Sequence, residues 1–207
     1  MEEIRVGRVR DPGMDRSVVD AVFRLRCRIF HHRLGWRVTP YEGREVDGYD
    51  RLDPVYMAAP AGDGEVVGCW RMLPTTGSYM LRDTFPELLD GEAVPCDPRI
   101  WELSRFAVAG GAPSADRRKA LVGATTFSMI RRVIEYADDH DIAAYVTVTS
   151  VALERLLRRA GVPLYRFGAG RSRRIGDVES VACWVPVDGE MRAAVGARAP
   201  VERRSAA

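Results

Sequence analysis

A strand–helix–strand stretch in the middle of the chain decides the fold. It opens with IWELSRFAV at residues 100–108, a run rich in apolar and aromatic residues that predicts a strand. In residues 114–139 the apolar side chains recur at helical spacing, which predicts the longest helix of the chain. The stretch closes with YVTVT at residues 145–149, which predicts a second strand.

Further elements extend outward from this stretch on both sides. Strands are also predicted at residues 4–9, 55–59, 66–73 and 181–187. Shorter helices are expected at residues 15–34, 79–89 and 151–160. Because strands interleave with helices, yet two strands follow one another like a hairpin, we predict an α/β fold with one mixed sheet and helices on both faces.

The size and composition of the chain indicate one globular domain. The chain has 207 residues, of which 46% are hydrophobic and 29% charged, and this excludes an intrinsically disordered protein. We expect the domain to span residues 1–190, because the Ala- and Arg-rich residues 191–207 are typical of a frayed tail. The net charge of +2, from 31 basic and 29 acidic residues, argues against a globally basic nucleic-acid-binding protein.

The cysteines, the histidines and the amino terminus indicate a cytoplasmic protein without a bound metal. The 4 cysteines lie far apart without a Cys-x-x-Cys pair, and with only 3 histidines no zinc-ligand spacing occurs. The charged start MEEIRVGRVRDP lacks the apolar region of a signal peptide. No apolar run approaches the roughly 20 residues that a membrane-spanning helix needs.

Basic, aromatic and acidic residues form a first constellation between residues 26 and 50. Arg26 and Phe30 are four residues apart and share one helix face, and Trp36 follows just past the predicted helix end. The long segment at 35–54 then presents three carboxylates close together, at Glu45, Asp47 and Asp50. Such carboxylates repel one another unless a cation or an arginine neutralises them. The segment is therefore either a solvated acidic loop or, with the two aromatic rings, a box for an organic cation.

Two further constellations lie on predicted strands. Arg71 stands near the end of one strand, in the setting Gly68-x-x-Arg71-x-Leu73-Pro74. In the strand at 100–108, alternation predicts that Glu102, Ser104 and Phe106 share one face and that Trp101, Leu103 and Arg105 share the other. A charge on each face of a central strand is costly unless it is paired or used. Glu102 is therefore a candidate general base.

These constellations resemble the signature blocks of the acyl-homoserine lactone synthases, the autoinducer synthase family of bacterial quorum sensing. The matching blocks are Arg26 through Asp50, the setting of Arg71, and Glu102-x-x-Arg105-Phe106, and the resemblance covers residues 15–170. It implies a fold related to the N-acetyltransferases, with a sheet splayed to admit a phosphopantetheine arm. It also implies acyl transfer to S-adenosylmethionine, a substrate rather than a cofactor, from acyl carrier protein or CoA. The products that the resemblance implies are an N-acyl-L-homoserine lactone and methylthioadenosine.

The resemblance assigns roles to the charged and aromatic residues. For S-adenosylmethionine, the rings of Phe30 and Trp36 are expected near the cationic end that carries the adenosyl group. Its ammonium or sulfonium group suits the carboxylates of Asp47 and Asp50, and its carboxylate suits one of three arginines, Arg26, Arg71 or Arg105. Glu102 is the first candidate for the base that takes the amine proton and Glu45 is the second. Backbone N–H groups at 104–106 are expected to stabilise the thioester oxyanion.

The resemblance also implies an apolar tunnel for the acyl chain between the sheet and the helices that follow it. The expected lining is Trp70, Met80, Leu103, Ser104, Phe106, Val146, Thr147, Val148, Thr149 and Leu153. One of the two threonines resembles the family's position at which a hydroxyl is associated with 3-oxo chains. The basic run Arg117-Arg118-Lys119 is expected to dock an acidic acyl carrier protein.

Two other functions compete with this interpretation. An N-acetyltransferase that uses acetyl-CoA needs a Q/R-x-x-G-x-G/A loop at a helix start, whereas residues 109–119 read AGGAPSADRRK, with the glycines too early. A nucleic-acid-binding module rests only on Arg171-Ser172-Arg173-Arg174 and Arg203-Arg204, in a chain whose only lysine is Lys119. Product analysis and the salt dependence of DNA binding separate these alternatives.

Overall fold

One mixed β-sheet organises the molecule. The computed structural model describes residues 3–36, 38–109, 115–159 and 161–196, and for residues 115–122 it describes the backbone alone. The strands are β1 (Arg5–Gly7), β2 (Val55–Pro60), β3 (Val66–Pro74), β4 (Ile100–Val108), β5 (Ala144–Ser150), β6 (Tyr165–Arg166), β7 (Arg173–Ile175) and β8 (Val178–Pro186). Their order is β1-β2-β3-β4-β5-β8-β6, and β7 also pairs with β8. Strands β4 and β5 are parallel and the other neighbours antiparallel, so the predicted mixed sheet is confirmed.

The helices follow the apolar patterns of the sequence. They are α1 (Arg16–Arg26), α2 (Met80–Asp83), α3 (Ala115–Asp139), α4 (Val151–Arg159) and α5 (Gly189–Val195). The carboxylate of Asp15 caps α1 by accepting the N–H groups of Ser17 and Val18. The predicted continuation of α1 is a π-helical turn over Cys27–Arg33, and short 3₁₀ turns occur at Gly48–Arg51 and Pro86–Leu89.

The sheet separates two apolar layers. Along β2, Tyr56 and Ala58 pack with α1 on one surface, whereas Val55 and Met57 pack with α3 on the other. Helix α2 lies on the same surface as α1, and α5 lies on the same surface as α3. We call these two surfaces the α1 face and the α3 face.

Strands β4 and β5 form a fork at the centre of the sheet. Their parallel pairing runs only from Ile100 and Ala144 to Leu103 and Thr147, well before either strand ends. The hydroxyl of Thr147 donates to the Leu103 carbonyl oxygen at 2.8 Å and holds this last pair together. The rest of β4 and β5 therefore forms the two arms of the fork.

A β-bulge in β4 overturns the alternation predicted for that strand. Cys69 pairs with Ala107 and Arg71 with Ser104, so that one residue of β3 lies opposite both Arg105 and Phe106. Arg105 takes a left-handed conformation with φ of 56°. The prediction that Arg105 shares a face with Leu103 is wrong, because the extra residue turns its side chain to the α1 face. Phe106 correspondingly joins Leu103 on the α3 face.

The prediction of a frayed tail is wrong for its first part. The carboxylate of Asp188 accepts the N–H of Met191 and caps α5, and the Met191 side chain is fully buried on the α3 face. The helix ends at Gly196, whose φ of 63° is suited to glycine. The Ala- and Arg-rich composition conceals Met191 and Val195, the two residues of this helix that pack against the core. The remaining residues of the predicted tail, 197–207, lie outside the described part of the chain.

Candidate active site

A buried network of ion pairs lies on the α1 face, against the acidic segment at residues 45–50. At its centre, Arg26 is fully buried where α1 passes into the π-helical turn. Its guanidinium donates to both carboxylate oxygens of Asp50, at 2.8 and 2.9 Å, and its Nε–H donates to Glu45. Such a two-pronged arginine–carboxylate pair is both strong and directional. Arg26 therefore fixes the acidic segment against the end of α1.

Arg71 brings β3 into the same network. Its side chain is fully buried, and Nη1 lies 2.5 Å from Asp47 Oδ1 and 3.0 Å from Asp50 Oδ1. Its Nε–H donates to the hydroxyl of Ser104 on β4 at 3.1 Å. Arg71 therefore ties two strands of the sheet to the acidic segment.

Arg105 reaches the network because of the bulge in β4. Its Nη2 lies 2.7 Å from Asp47 Oδ2, and its Nε donates to Glu45 Oε1 at 3.2 Å. Three arginines, Arg26, Arg71 and Arg105, thus neutralise the three carboxylates of the segment. The interpretation of the segment as a solvated acidic loop is therefore wrong.

The network shifts the acidity of its members. Burial alone would raise the pKa of Asp50, but hydrogen bonds and positive charge from Arg26, together with the charge of Arg71, outweigh it and hold that pKa below the ordinary value. Burial lowers the pKa of the Arg105 guanidinium, and the carboxylates of Glu45 and Asp47 oppose that change. The network therefore keeps Asp50 ionised in a buried place.

The sequence analysis missed Tyr56 as a member of this network. Its hydroxyl donates to Asp50 Oδ1 at 2.8 Å. Burial, followed by the charge of Asp50, raises the pKa of this hydroxyl. Tyr56 lies directly opposite Arg71 in the β2–β3 pairing, so the pairing of the two predicted strands was the signal that could have found it.

The acidic segment is held in a defined turn. The Asp47 carboxylate accepts the N–H of Tyr49 at 2.9 Å, and the Asp50 carboxylate accepts the N–H of Asp47 at 2.8 Å. This reciprocal capping starts the 3₁₀ turn at Gly48–Arg51. Both carboxylates therefore serve the local backbone as well as the arginines.

The two aromatic rings do not form the expected two-walled box. Phe30 and Trp36 stack on each other, with ring centroids 4.8 Å apart and planes at 18°. The Arg105 guanidinium carbon lies 5.6 Å from the Phe30 centroid, so the cation that this ring contacts belongs to the protein. Trp36 lies half-buried at the outside of this stack. A cation cannot enter between the two rings.

Glu102 is buried at the edge of the network and anchors α2. One carboxylate oxygen accepts the N–H of Met80 at 2.9 Å, and the other accepts the N–H of Leu81 at 2.6 Å. Burial raises the pKa of Glu102, opposed by these two N–H groups and by the charges of Arg71 and Arg105. A carboxylate with a raised pKa is a stronger base, which suits the predicted role.

An apolar cavity of about 60 Å³ lies on the α3 face and reaches into the fork. Eight of the predicted acyl-binding residues line it: Trp70, Leu103, Ser104, Phe106, Thr147, Val148, Thr149 and Leu153. Two do not. Met80 lies on the α1 face, where its sulfur is 3.1 Å from Arg71 Nη2 and 3.3 Å from Arg105 Nη1, and Val146 packs beside Leu81.

The sequence analysis missed the helical wall of this cavity. That wall and its surroundings comprise Thr126, Ile130, Val133, Ile134, Tyr145, Leu157, Val162, Leu164, Val185 and Met191. The apolar spacing of α3 was a signal for part of this wall, because it predicts which helix side faces the sheet.

The ion network and the cavity meet at the bulge of β4. Ser104 and Arg105 line the cavity, yet Ser104 accepts from Arg71 and Arg105 pairs with Glu45 and Asp47. A polar, charged substrate on one side and an apolar chain on the other would therefore meet at residues 104–106. This arrangement suits the joining of an amine to an acyl group.

The remaining predictions concern a metal ion, a membrane span and the docking of a carrier protein. In the described part of the chain, no group of three or more His, Cys, Asp or Glu side chains could hold a metal ion. No helix of that part is long and apolar enough to cross a membrane. The side chains of Arg117, Arg118 and Lys119 lie outside the described residues.

Comparison with known proteins identifies relatives along nearly the whole chain. The sequence profile of the family named autoinducer synthase matches residues 12–195. An acyl-homoserine-lactone synthase of Pseudomonas aeruginosa is 38% identical over 207 residues, covering 98% of each chain. The crystal structure of the AHL synthase LasI superposes with a TM-score of 0.84 at 38% identity, covering 98% of each chain.

Two further structures bear on the donor and on the fold. BjaI, a CoA-dependent acyl-homoserine lactone synthase solved with SAM and isopentyl-CoA, has a TM-score of 0.80 at 28% identity, covering 96% of this chain and 92% of its own. An acyl-CoA N-acyltransferase from Pseudomonas aeruginosa shares the fold alone, with a TM-score of 0.58 at 15% identity over 89% of this chain and 99% of that one. The predicted N-acetyltransferase-related sandwich is confirmed.

Proposed function

The chain belongs to the autoinducer synthase family, the acyl-homoserine-lactone synthases, and we propose that it acylates S-adenosylmethionine and then closes the lactone. The observation that carries this reaction is the meeting of the ion network with the apolar cavity at the bulge of β4. In the first step the amine nitrogen attacks the thioester carbon, the thiol leaves and the amine gives up a proton. In the second step the carboxylate attacks Cγ, the bond from Cγ to the sulfonium breaks, and neutral methylthioadenosine leaves.

Exposure separates the members of the network that hold the fold from those that can meet a substrate. The side chains of Arg26, Glu45, Asp50 and Arg71 are at most 2% exposed, whereas Asp47 is 18% and Arg105 11% exposed. We therefore assign the ammonium or sulfonium charge of S-adenosylmethionine to Asp47 and its carboxylate to Arg105. Trp36, outside Phe30 in the stack, is assigned to the adenosyl end.

Glu102 is proposed as the base for the acylation step. Amine attack on a thioester requires the neutral amine, so that a proton must move to an acceptor. Both carboxylate oxygens of Glu45 already accept hydrogen bonds from arginine side chains. The carboxylate oxygens of Glu102 accept hydrogen bonds from two backbone N–H groups instead, and the arginine charges lie farther away. Glu102 therefore remains the first candidate and Glu45 the second.

The function is tested by product analysis with the purified full chain. We expect S-adenosylmethionine and an acyl thioester to give an acyl-homoserine lactone and methylthioadenosine in equal amounts, measured by mass spectrometry. Free CoA from acetyl-CoA and an amine, without methylthioadenosine, would instead indicate an N-acetyltransferase. That result would contradict the proposal.

Acyl carrier protein is proposed as the preferred donor, with CoA the second candidate because the relative BjaI is CoA-dependent. We expect a lower KM for an acyl carrier protein thioester than for the CoA thioester of the same acyl group. Reversing charge with Arg117→Glu and Arg118→Glu should raise the carrier KM several-fold and leave the KM for S-adenosylmethionine unchanged, because rim charges act mainly on association. Arg131→Glu, an exposed change later in α3, is the control. An unchanged carrier KM, or a preference for CoA, would disprove carrier docking at this helix.

A further inference from the structure

Trp70 presents an unpaired hydrogen-bond donor in the cavity region. Its side chain is 9% exposed and lines the cavity, and its Nε1 is buried without a hydrogen-bond acceptor among the described residues. By contrast, the indole of Trp101 donates to the Pro98 carbonyl oxygen at 3.1 Å. Buried polar groups almost always have a partner, because an unmet donor costs free energy. The donor on Trp70 therefore suggests a ligand that supplies an acceptor.

Two other polar side chains of the cavity lining already donate to the protein. The Thr147 hydroxyl donates to the Leu103 carbonyl oxygen at 2.8 Å, and the Tyr145 hydroxyl donates to the Val133 carbonyl oxygen at 2.9 Å. The hydroxyl of Ser104 accepts from Arg71. The Thr147 and Tyr145 hydroxyls are therefore occupied as donors, and Trp70 Nε1 differs from all three groups in that it is buried with no hydrogen-bond partner among the described residues.

The position of Trp70 on β3 places its side chain near the end of the cavity where the proposed acyl transfer occurs. Trp70 lies on β3 opposite the bulge, and its ring packs against Phe106 with centroids 4.7 Å apart. The neighbouring residues Ser104 and Arg105 are where the cavity meets the ion network. An oxygen on the acyl chain a few bonds from the thioester carbon would therefore lie beside this wall.

We propose that Trp70 Nε1 donates a hydrogen bond to an oxygen substituent on the acyl chain, which makes Trp70 a specificity-determining residue for oxo- or hydroxy-acyl groups. This inference rests on the proposed function, because the acyl chain is the occupant assigned to the cavity. A site with a buried donor discriminates against a ligand that cannot accept from it. The enzyme should therefore prefer an oxygen-bearing chain over an unsubstituted chain of equal length.

The test compares matched donors on one carrier: an unsubstituted acyl group and its 3-oxo and 3-hydroxy forms. Trp70→Phe removes the N–H and keeps an aromatic ring. We expect this variant to lower kcat/KM about tenfold for the acyl groups that carry an oxygen substituent, as for the loss of one hydrogen bond. The kcat/KM for the unsubstituted acyl group should fall far less. Trp101→Phe, which removes an indole outside the cavity lining, should leave the ratio between donors unchanged.

Equal losses on all donors would overturn the inference and assign Trp70 to packing alone. A wild-type preference for the unsubstituted chain would also overturn the inference. So would a result in which Thr149→Val loses the preference for oxygen-bearing chains and Trp70→Phe keeps it. If the wild-type protein makes no lactone from any donor, the proposed function itself has failed.

A second measurement does not depend on the folding of Trp70→Phe. In wild-type protein with ¹⁵N-labelled tryptophan, the indole N–H signals can be assigned with Trp36→Phe, Trp101→Phe and Trp184→Phe. Adding a 3-oxo-acyl-homoserine lactone should move the Trp70 proton signal downfield, and the unsubstituted lactone should not. The same shift with both lactones, or with neither, would contradict the hydrogen bond.

Discussion

Replacing Glu102 by glutamine is expected to lower kcat for lactone synthesis by about 10²–10⁴-fold, the usual contribution of a general base. Glutamine keeps the shape of the side chain but cannot take the amine proton. Burial raises the pKa of Glu102. As the pH is lowered, the wild-type rate should therefore begin to fall at a pH above the range in which a glutamate ordinarily titrates. The variant should lose this acid limb, which a pH profile of single-turnover rates would measure.

Glu102 also anchors α2, so the test must separate catalysis from anchoring. In the variant, the side-chain amide would direct N–H groups at the N–H of Met80 or Leu81, where carboxylate oxygens now accept. Loss of anchoring alone should lower the thermal midpoint and raise the KM for S-adenosylmethionine. Loss of the base should lower kcat with the KM nearly unchanged. Near-wild-type turnover in Glu102→Gln would disprove the assignment of the base.

Replacing Asp50 by asparagine is expected to lower the free energy of unfolding by about 3–5 kcal/mol, the cost of removing one partner from a buried ion pair. Asp50 is the common partner of Arg26 and Arg71, both fully buried, and of the Tyr56 hydroxyl. Asparagine would leave two buried guanidinium groups short of negative charge. Urea denaturation of both proteins measures the difference.

Asp47→Asn provides the matched control for Asp50→Asn. Asp47 contacts the same network but is 18% exposed, compared with 2% for Asp50, so water can compensate the lost charge. We expect this variant to raise the KM for S-adenosylmethionine more than it lowers stability. Equal destabilisation by both variants would contradict the division into buried scaffold and substrate-facing groups.

The acidity of Asp50 gives this network a pH dependence. Since the folded-state pKa is lowered, the stabilisation by Asp50 is present above the ordinary pKa of an aspartate and is lost as the pH falls below it. Wild-type stability should therefore decline below about pH 4, where unfolded aspartates begin to take up protons. Asp50→Asn should show a smaller decline over the same range.

The sequence could predict the strands, the main helices and the chemical composition of the site. It could not predict the face of the sheet on which Arg105 lies. The alternation of side chains fails at the β-bulge, and no glycine in the sequence marks this bulge. It also placed Met80 in the tunnel, since nothing local shows that α2 packs on the α1 face. The stacking of Phe30 on Trp36 depends on the path of the chain after the π-helical turn, which sequence spacing does not define.

The sheet lies between most of the apolar cavity and the buried charges, which leaves two largely separate sets of positions open to mutation. Ile130 and Leu157 line the cavity from α3 and α4, whereas Arg26 and Asp50 lie on the α1 face. If the acyl chain occupies the cavity as proposed, a substitution at Ile130 alters which chain fits while the ion pairs on the α1 face are kept. On the function proposed above, single substitutions in the cavity would change the acyl chain of the signal, so that a new signal arises without an inactive enzyme as an intermediate.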